Sequence, residues 1–438
     1  MAEQHKKPEQ INDWLIDGIL DLIDSTSTKE SSDPIRREIQ KNAKNKLTLR
    51  DKSVSFGDLV PHHRDFFHEK FPLQMSTLTV DHRYPSDLDI QDSTDIAGII
   101  RISTEGVYYW LQPSLQQKGI VFADLQSLEK DHPGMAASLL EKSAKSRNTP
   151  IAIIQQSLGI STFVLFVPKN NIIEGVFKFE ISCGGTEKIL PIHLITNVEN
   201  EAEANLAILH ERPKNEACHR MLAVMQVDHF VSENSIMRAF HHQNASEESL
   251  IMLDEFVQQG GYSQSEIFSL DTGGAGLEKE STVALNGEGA ESIVSGVYRP
   301  GKGANYFYNT EQIHAASHTV SDLQYNGVLG ENAFTSWKGN IVVEQKTSGA
   351  NGYQSNNNLI IDGSAKVESV PGLEILTDDV RCSHGVTISN IDKNHMFYLQ
   401  SRGINLDDAE DLIIEGFLRS TIKRIKSERF LNFITQFF

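Results

Sequence analysis

The chain has 438 residues, 39% of them hydrophobic and 23% charged, with a formal net charge of −19. That length accommodates two or three domains with a substantial core. The acidic balance argues against nucleic acid as a partner, since a phosphate backbone is held by clustered Lys and Arg, and no stretch approaches the ~20 apolar residues that span a bilayer.

The first residues, MAEQHKKPEQINDW, contain no apolar core of a secretory signal and lack the Arg- and Ser-rich, acid-poor pattern of a transit peptide. Cys183, Cys218 and Cys382 are an odd number without a CxxC pair, which argues against a disulfide framework and a closed zinc site. A cytoplasmic location is expected.

Residues 1–149 read as an α-rich N-terminal region. Ile11, Trp14, Leu15, Ile19, Leu22 and Ile23 recur at helical spacing. Residues 35–47 follow Pro34 as a second helix, and 136–143 form a short third one. Residues 99–111 suit a strand better.

From 150 to 388 the texture changes to short apolar runs separated by Gly, Asn, Ser and Asp. Examples are 163–167, 175–181, 221–227, 293–298 and 341–344, which predict many short strands. Only 199–209 and 247–257 suggest helix. A sandwich or a parallel β-helix would fit. Glycines that look like corners before apolar strands (Gly296, Gly327, Gly339, Gly385) and an apparent Asn-rich turn at 354–358 favour the β-helix. No fixed repeat period stands out.

Residues 389–438 read as a helical C-terminal region. Asn405 can cap a helix that begins with Asp407 and Asp408. Ile414, Leu418, Ile422 and Ile425 form an apolar stripe. Lys423, Arg424 and Lys426 suit a solvated face near a C-terminus. The apolar tail 430–438 either folds onto the body or meets a partner.

Most motifs dissolve on inspection. Residues 296–302 nearly spell a phosphate loop, but Gly303 stands where Ser or Thr must ligate magnesium and a strand follows instead of a helix. His62, His63 and His68, and the pair His241 and His242, lack metal-ligand spacing; each adjacent pair on a strand points to opposite faces, and solvated histidines are expected. GxSxG is absent. Cys382 and His384 are different: two apart on a strand, they share a face and could together ligate iron or hold sulfur. Val380, Val386 and Ile388 share that parity, so the face also reads as core.

The segments 373–375, 378–380, 382–385, 397–399 and 401–404 together resemble the C-terminal signature of the SufB/SufD family of iron–sulfur cluster assembly proteins. The Cys-Ser-His-Gly form at 382–385 resembles the SufD branch; the SufB branch usually carries Glu-His-Glu-Ala there. His314, Ser321, 325–329, 339–343 and Tyr353–Gln354 fit the middle of the family pattern, with weaker matches at 119–125 and 166–169. The likeness covers about 119–417. Trp337 replaces a common Phe, and the family's usual elements are not visible before Gly119.

The resemblance implies a mainly β chain, with a parallel β-helix core flanked by helical N- and C-terminal regions. It further implies a non-catalytic SufD-like scaffold subunit that works with a SufB-like subunit and a SufC-type ABC ATPase, the ATP-binding loop lying on the latter. His384 would sit at the SufB contact as a shared metal ligand or polar group, with Cys382 beside it. The stripe Ile414, Leu418 and Ile422 would dock the ATPase. No cofactor is expected to be held stably, only a transient cluster in the complex, and the lone chain could pair with itself. Two rivals are a SufB-like chain that carries the nascent cluster and a metal-dependent β-helix enzyme acting on polysaccharide. The enzyme would need paired carboxylates, for which Asp378 and Asp379 are the only adjacent pair in the signature.

Overall fold

The computed structural model describes residues 20, 34–49, 74–75, 95–103, 106–146, 148–158, 161–182, 188–212 and 221–438. The helix expected over 11–23, the histidines at 62, 63 and 68, and Cys183 and Cys218 lie outside the described residues.

From Ser161 onward, successive strands alternate between two sheets, and each pairs in parallel with the strand two along the chain, up to the last turn. One sheet runs from Val121–Asp124 and Ser161–Val167 to Lys366–Ile375; the other runs from the hairpin Ile96–Ser103/Gly106–Leu111 to Val380–Asn390. The result is a parallel β-solenoid of about seven turns. Residues one turn apart in register are separated by 33 positions at Lys188 and Met221 but by 26 at Leu250 and Gly276. Each turn spends a different number of residues at its corners, so no constant period exists to be found.

Each outer face is covered in part. Val164, Ile195, Phe230 and Phe256 on one sheet pack against Leu125, Leu128, Leu139 and Leu140 from helices Leu125–Asp131 and Pro133–Ser146. Helix Pro34–Leu49 adds Ile35 and Ile39 to the same cluster. On the other sheet, Phe240, Phe268, Leu270 and Val297 pack against Ile422, Ile425, Phe430, Phe433 and Ile434. The tail therefore folds onto the body. Rings at the contact, such as Phe240 and Phe437 with centroids 5.1 Å apart, add to the apolar burial.

Strands covered on both faces lose the in–out alternation of a half-exposed sheet. Residues 199–209 and 247–257, expected as helix, are accordingly the strands Glu203–Glu211 and Leu250–Gln259. The opposite correction applies at the start of the β region, where Pro150–Leu158 is a wholly buried helix. Thr149 accepts a hydrogen bond from the Ala152 N–H at its start, and Pro occupies its first position.

The glycines expected at corners also lie elsewhere. Gly296 and Gly327 are within strands Glu291–Tyr298 and Val320–Leu329 and sit in register with Tyr325 and Tyr298. A Cβ on Gly327 would fall 1.9 Å from Tyr298 Cε2, and one on Gly296 would fall 2.1 Å from Tyr325 Cε1. Gly339 likewise makes room for the ring of Trp337. These glycines let large rings lie across the solenoid interior. The Asn-rich segment 354–358 is also strand, within Ala350–Ile360, and builds an internal amide ladder: Tyr298 OH donates to Asn358 Oδ1 (2.5 Å) and accepts from Asn356 Nδ2 (3.0 Å).

Candidate functional site

Cys382 and His384 lie on Val380–Asn390, a strand of the last solenoid turn that, among the described residues, pairs on one side only. Register sets their direction. Cys382, His384, Val386 and Ile388 pair with Gly352, Gln354, Asn356 and Asn358, whose side chains line the interior. From the facing sheet, Leu373 and Ile375 pair with the buried interior residues Ile341 and Val343. Among the described residues, nothing is stacked on the interior of the last turn. Leu373, Ile375 and Ile388 are 38%, 37% and 49% exposed, giving the end that holds the Cys–His pair an apolar mouth. The expectation that this face is core-like in composition is met, and the structure places it at the open end of the solenoid.

Each side chain is positioned by the turn beneath. Val380 and Cys382 pack against Ile341, Val343 and Ala350. Gly352 separates the thiol from His314: a Cβ there would lie 3.3 Å from Cys382 Sγ and 3.2 Å from His314 Nε2. His314 is held by Thr319 (Nδ1 to Oγ1, 2.7 Å) and Ser321 (Nε2 to Oγ, 2.8 Å), and burial lowers its pKa to about 4. It is a neutral, fixed dipole beneath the thiol. Burial pushes the Cys382 thiol up, outweighing a backbone hydrogen bond at Gly352 that favours the thiolate. The protonated thiol is a poor metal ligand until a cation or another charged group joins it. His384 is exposed on top, and its register neighbour Gln354 spans the interior below, donating to the carbonyls of Gly339 (3.3 Å) and Gly372 (2.9 Å).

The stripe Ile414, Leu418 and Ile422 does not belong to a free surface. Ile414 packs on Val328 and Leu359, Ile422 joins the cluster on the outer sheet face, and Leu418 touches both groups. Its role in docking an ATPase is therefore corrected: the apolar face that the helix Leu406–Ile422 needs to fold is spent on its own solenoid. Arg424 is not simply solvated either. It donates to Ser295 Oγ (3.0 Å) and Gln324 Oε1 (2.9 Å) and pairs with Asp322 (2.9 Å), fastening the helical region to the sheet. The outward surface of the C-terminal helices carries Phe397, Tyr398, Leu406 and Leu412, all exposed.

His241 and His242 point to opposite faces as expected, but both are buried. His242 stacks on Phe240 and meets Phe437 outside the sheet, while His241 contacts Glu255 in the interior. A Ser143–His193–Asp228 grouping, invisible in sequence because its members are scattered, lies under helix Pro133–Ser146. One nitrogen, His193 Nε2, contacts both Ser143 Oγ (3.1 Å) and Asp228 Oδ2 (2.9 Å), and Ser143 donates directly to that same carboxylate oxygen (2.5 Å). A relay needs the two ring nitrogens on different partners; this is a knot joining helix to sheet. Asp378 and Asp379 lie in the bend between Lys366–Ile375 and Val380–Asn390 rather than on a strand.

The family model described as "SUF system FeS cluster assembly, SufBD core domain" matches residues 182–417, which include most of the solenoid turns and the Cys–His mouth. The chain belongs to the SufB/SufD family. The SufD protein of Escherichia coli K12 is 33% identical over 156 residues, 36% of this chain and 37% of that protein. The SufB protein of Bacillus subtilis 168 is 23% identical over 339 residues, 76% of this chain and 71% of that protein. A SufBD family protein of Synechocystis is 25% identical over 242 residues, about half of each chain. The SufD match thus spans little more than a third of its relative. The family is one of iron–sulfur cluster assembly proteins, and among the described residues no helix is long and apolar enough to cross a membrane.

Proposed function

We propose that this chain is a SufD-type, non-catalytic scaffold subunit whose open solenoid end docks against a SufB-type partner. The observation that carries the reading is the uncovered mouth, where Cys382 and His384 sit among Leu373, Ile375, Val386 and Ile388 on a surface of core composition. A partner solenoid would stack on it, exclude water and bring ligands from its own end. His384 would then act as a shared metal ligand. Cys382, held as a thiol in the lone chain, would ionise only when iron or a cationic group approaches. The nascent cluster is substrate of the assembled complex and not a resident cofactor of this subunit.

An ABC-type ATPase is the second proposed partner. The outward residues Phe397, Tyr398, Leu406 and Leu412 are offered as its docking surface, in place of the stripe that faces the solenoid. ATP binding in that partner would favour the arrangement in which the two solenoid ends separate, a population shift driven by differential contacts.

The competing reading is a SufB-like chain that carries the cluster itself, favoured by the longer SufB match. Support for the SufD side comes from the Cys-Ser-His-Gly form at 382–385. Anaerobic reconstitution with iron and sulfide separates them. The SufD reading expects the lone chain to hold no stable cluster. It also expects His384→Ala to lower cluster yield in the complex with SufB- and SufC-type partners while leaving complex formation intact. A stable cluster on the lone chain, or full yield with His384→Ala, would overturn it.

A further inference from the structure

The solenoid interior is not uniformly apolar. Its first turns are filled by Phe163, Phe177, Phe179 and aliphatic neighbours, but a polar vein begins at Thr196 and continues through His229, His241, Glu255, Lys279 and Asp271. His229, His241 and Glu255 come from consecutive strands, Met221–Val231, Ile236–Asn244 and Leu250–Gln259. All three are at most 3% exposed, and one ligand atom from each lies within 4.8 Å of the others.

We propose that His229 Nε2, His241 Nε2 and Glu255 Oε1 form a binding site for a divalent transition-metal ion inside the solenoid, separate from the Cys–His mouth. Three observations converge on those atoms. They are buried atoms gathered by close His–carboxylate contacts, Oε1 lying 2.7 Å from His241 Nε2 and 3.5 Å from His229 Nε2, and these contacts favour the ionised Glu255 carboxylate. The opposite atoms are engaged, as outer partners of a metal site usually are. Thr196 Oγ1 holds His229 Nδ1 at 2.7 Å, and Ser281 Oγ donates to Glu255 Oε2 at 3.3 Å, so these two of the three residues each present their remaining atom to the shared centre. The spacing also suits an ion: metal–ligand bonds of about 2.0–2.2 Å put tetrahedral ligands about 3.4 Å apart. The His229–Glu255 separation already has that value, and the His241–Glu255 contact needs to open slightly.

The surroundings select the ion. Lys279, only 1% exposed, lies in the same vein with Glu255, Asp271 and Tyr325. Lys279 therefore competes with any cation for Glu255. An ion held mainly by charge and oxygen, such as Mg²⁺ or Ca²⁺, loses that competition. One bound strongly by two imidazoles, such as Zn²⁺ or Fe²⁺, does not. Because the site is closed, the ion enters during folding and is retained afterwards.

The test uses the full chain produced in Co²⁺-supplemented minimal medium and purified through a chelating step. Elemental analysis is expected to find about one Co²⁺ per chain, with the visible d–d absorption of a tetrahedral nitrogen- and oxygen-ligated ion. A Cys382→Ser/His384→Ala double variant is expected to keep that signal, which assigns it to the interior. The variants His241→Gln and Glu255→Gln are each expected to retain less than a tenth of it while keeping the wild-type circular dichroism spectrum. Wild type without bound Co²⁺ overturns the proposal whatever the variants do. So does a signal that disappears with Cys382→Ser/His384→Ala, or one that persists in well-folded His241→Gln and Glu255→Gln.

Discussion

Replacing Gly327 by alanine should destabilise the solenoid more than any other single methyl group added to its strands. The new Cβ would lie 1.9 Å from Cε2, 2.3 Å from Cζ and 2.7 Å from the hydroxyl of Tyr298. That ring is fully buried, and its hydroxyl is held by Asn358 and Asn356 at 2.5 and 3.0 Å. It can retreat only by breaking those bonds and pressing on Tyr308, whose ring centroid is 5.0 Å away. Overpacking costs about 1–3 kcal/mol, and each lost buried hydrogen bond adds about 1 kcal/mol. The sum is about 3–5 kcal/mol. Gly301→Ala is the control, because a Cβ there meets nothing within 4 Å. Urea unfolding followed by circular dichroism should leave Gly301→Ala with wild type and lower the midpoint for Gly327→Ala. Adding Tyr298→Leu to Gly327→Ala should cost much less than Tyr298→Leu costs alone, because the two positions share one space. A Gly327→Ala midpoint equal to wild type, or strictly additive costs in the double variant, would refute the inward-ring packing.

Four further outcomes are expected. Ile388→Lys, at an exposed position in the mouth, should leave the melting temperature unchanged but abolish capture by a SufB-type partner and any self-pairing of the lone chain in analytical ultracentrifugation. Arg424→Ala removes bonds to Ser295, Gln324 and Asp322, including charge-assisted ones worth about 1.5–3 kcal/mol; amide exchange in the C-terminal helices should speed up while the early solenoid turns stay protected. Asn405 accepts from the Asp408 N–H at 2.9 Å, and Asn405→Ala should cost about 1 kcal/mol of local stability, read by the same exchange experiment. Burial depresses His314 from its ordinary 6.5 to about 4, so the unfolded chain binds the extra proton between those values and stability rises with pH across that window. His314→Gln should flatten that part of the stability–pH curve relative to wild type; an unchanged slope would show that His314 is not buried neutral.

The fold class was legible because short apolar runs between turn residues are a local property. So was the Cys–His relationship, since a strand puts residues two apart on one face whatever else the chain does. Local chemistry also determined the Asn405 cap, because its side chain satisfies an N–H three residues away. What misled was everything that depends on coverage. Strands 203–211 and 250–259 are buried on both faces by elements remote in sequence, which erased the alternation that marks a half-exposed strand. The inward glycines looked like corners because a glycine in sequence does not reveal that a tyrosine from the next turn, 29 positions away between Gly296 and Tyr325, occupies its missing side chain.

The candidate site divides in the same way. The sequence by itself determined that Cys382 and His384 share one strand face, and that the chain carries the family's signature around them. Only the tertiary structure decided that their face is the uncovered end of the solenoid, that the stripe Ile414–Leu418–Ile422 is used internally, and that His229, His241 and Glu255 meet at all. The physical reason is that a solenoid stacks residues roughly 30 apart, with an offset that varies from turn to turn. Neighbours across turns are set by the lengths of the corners, which no local pattern records.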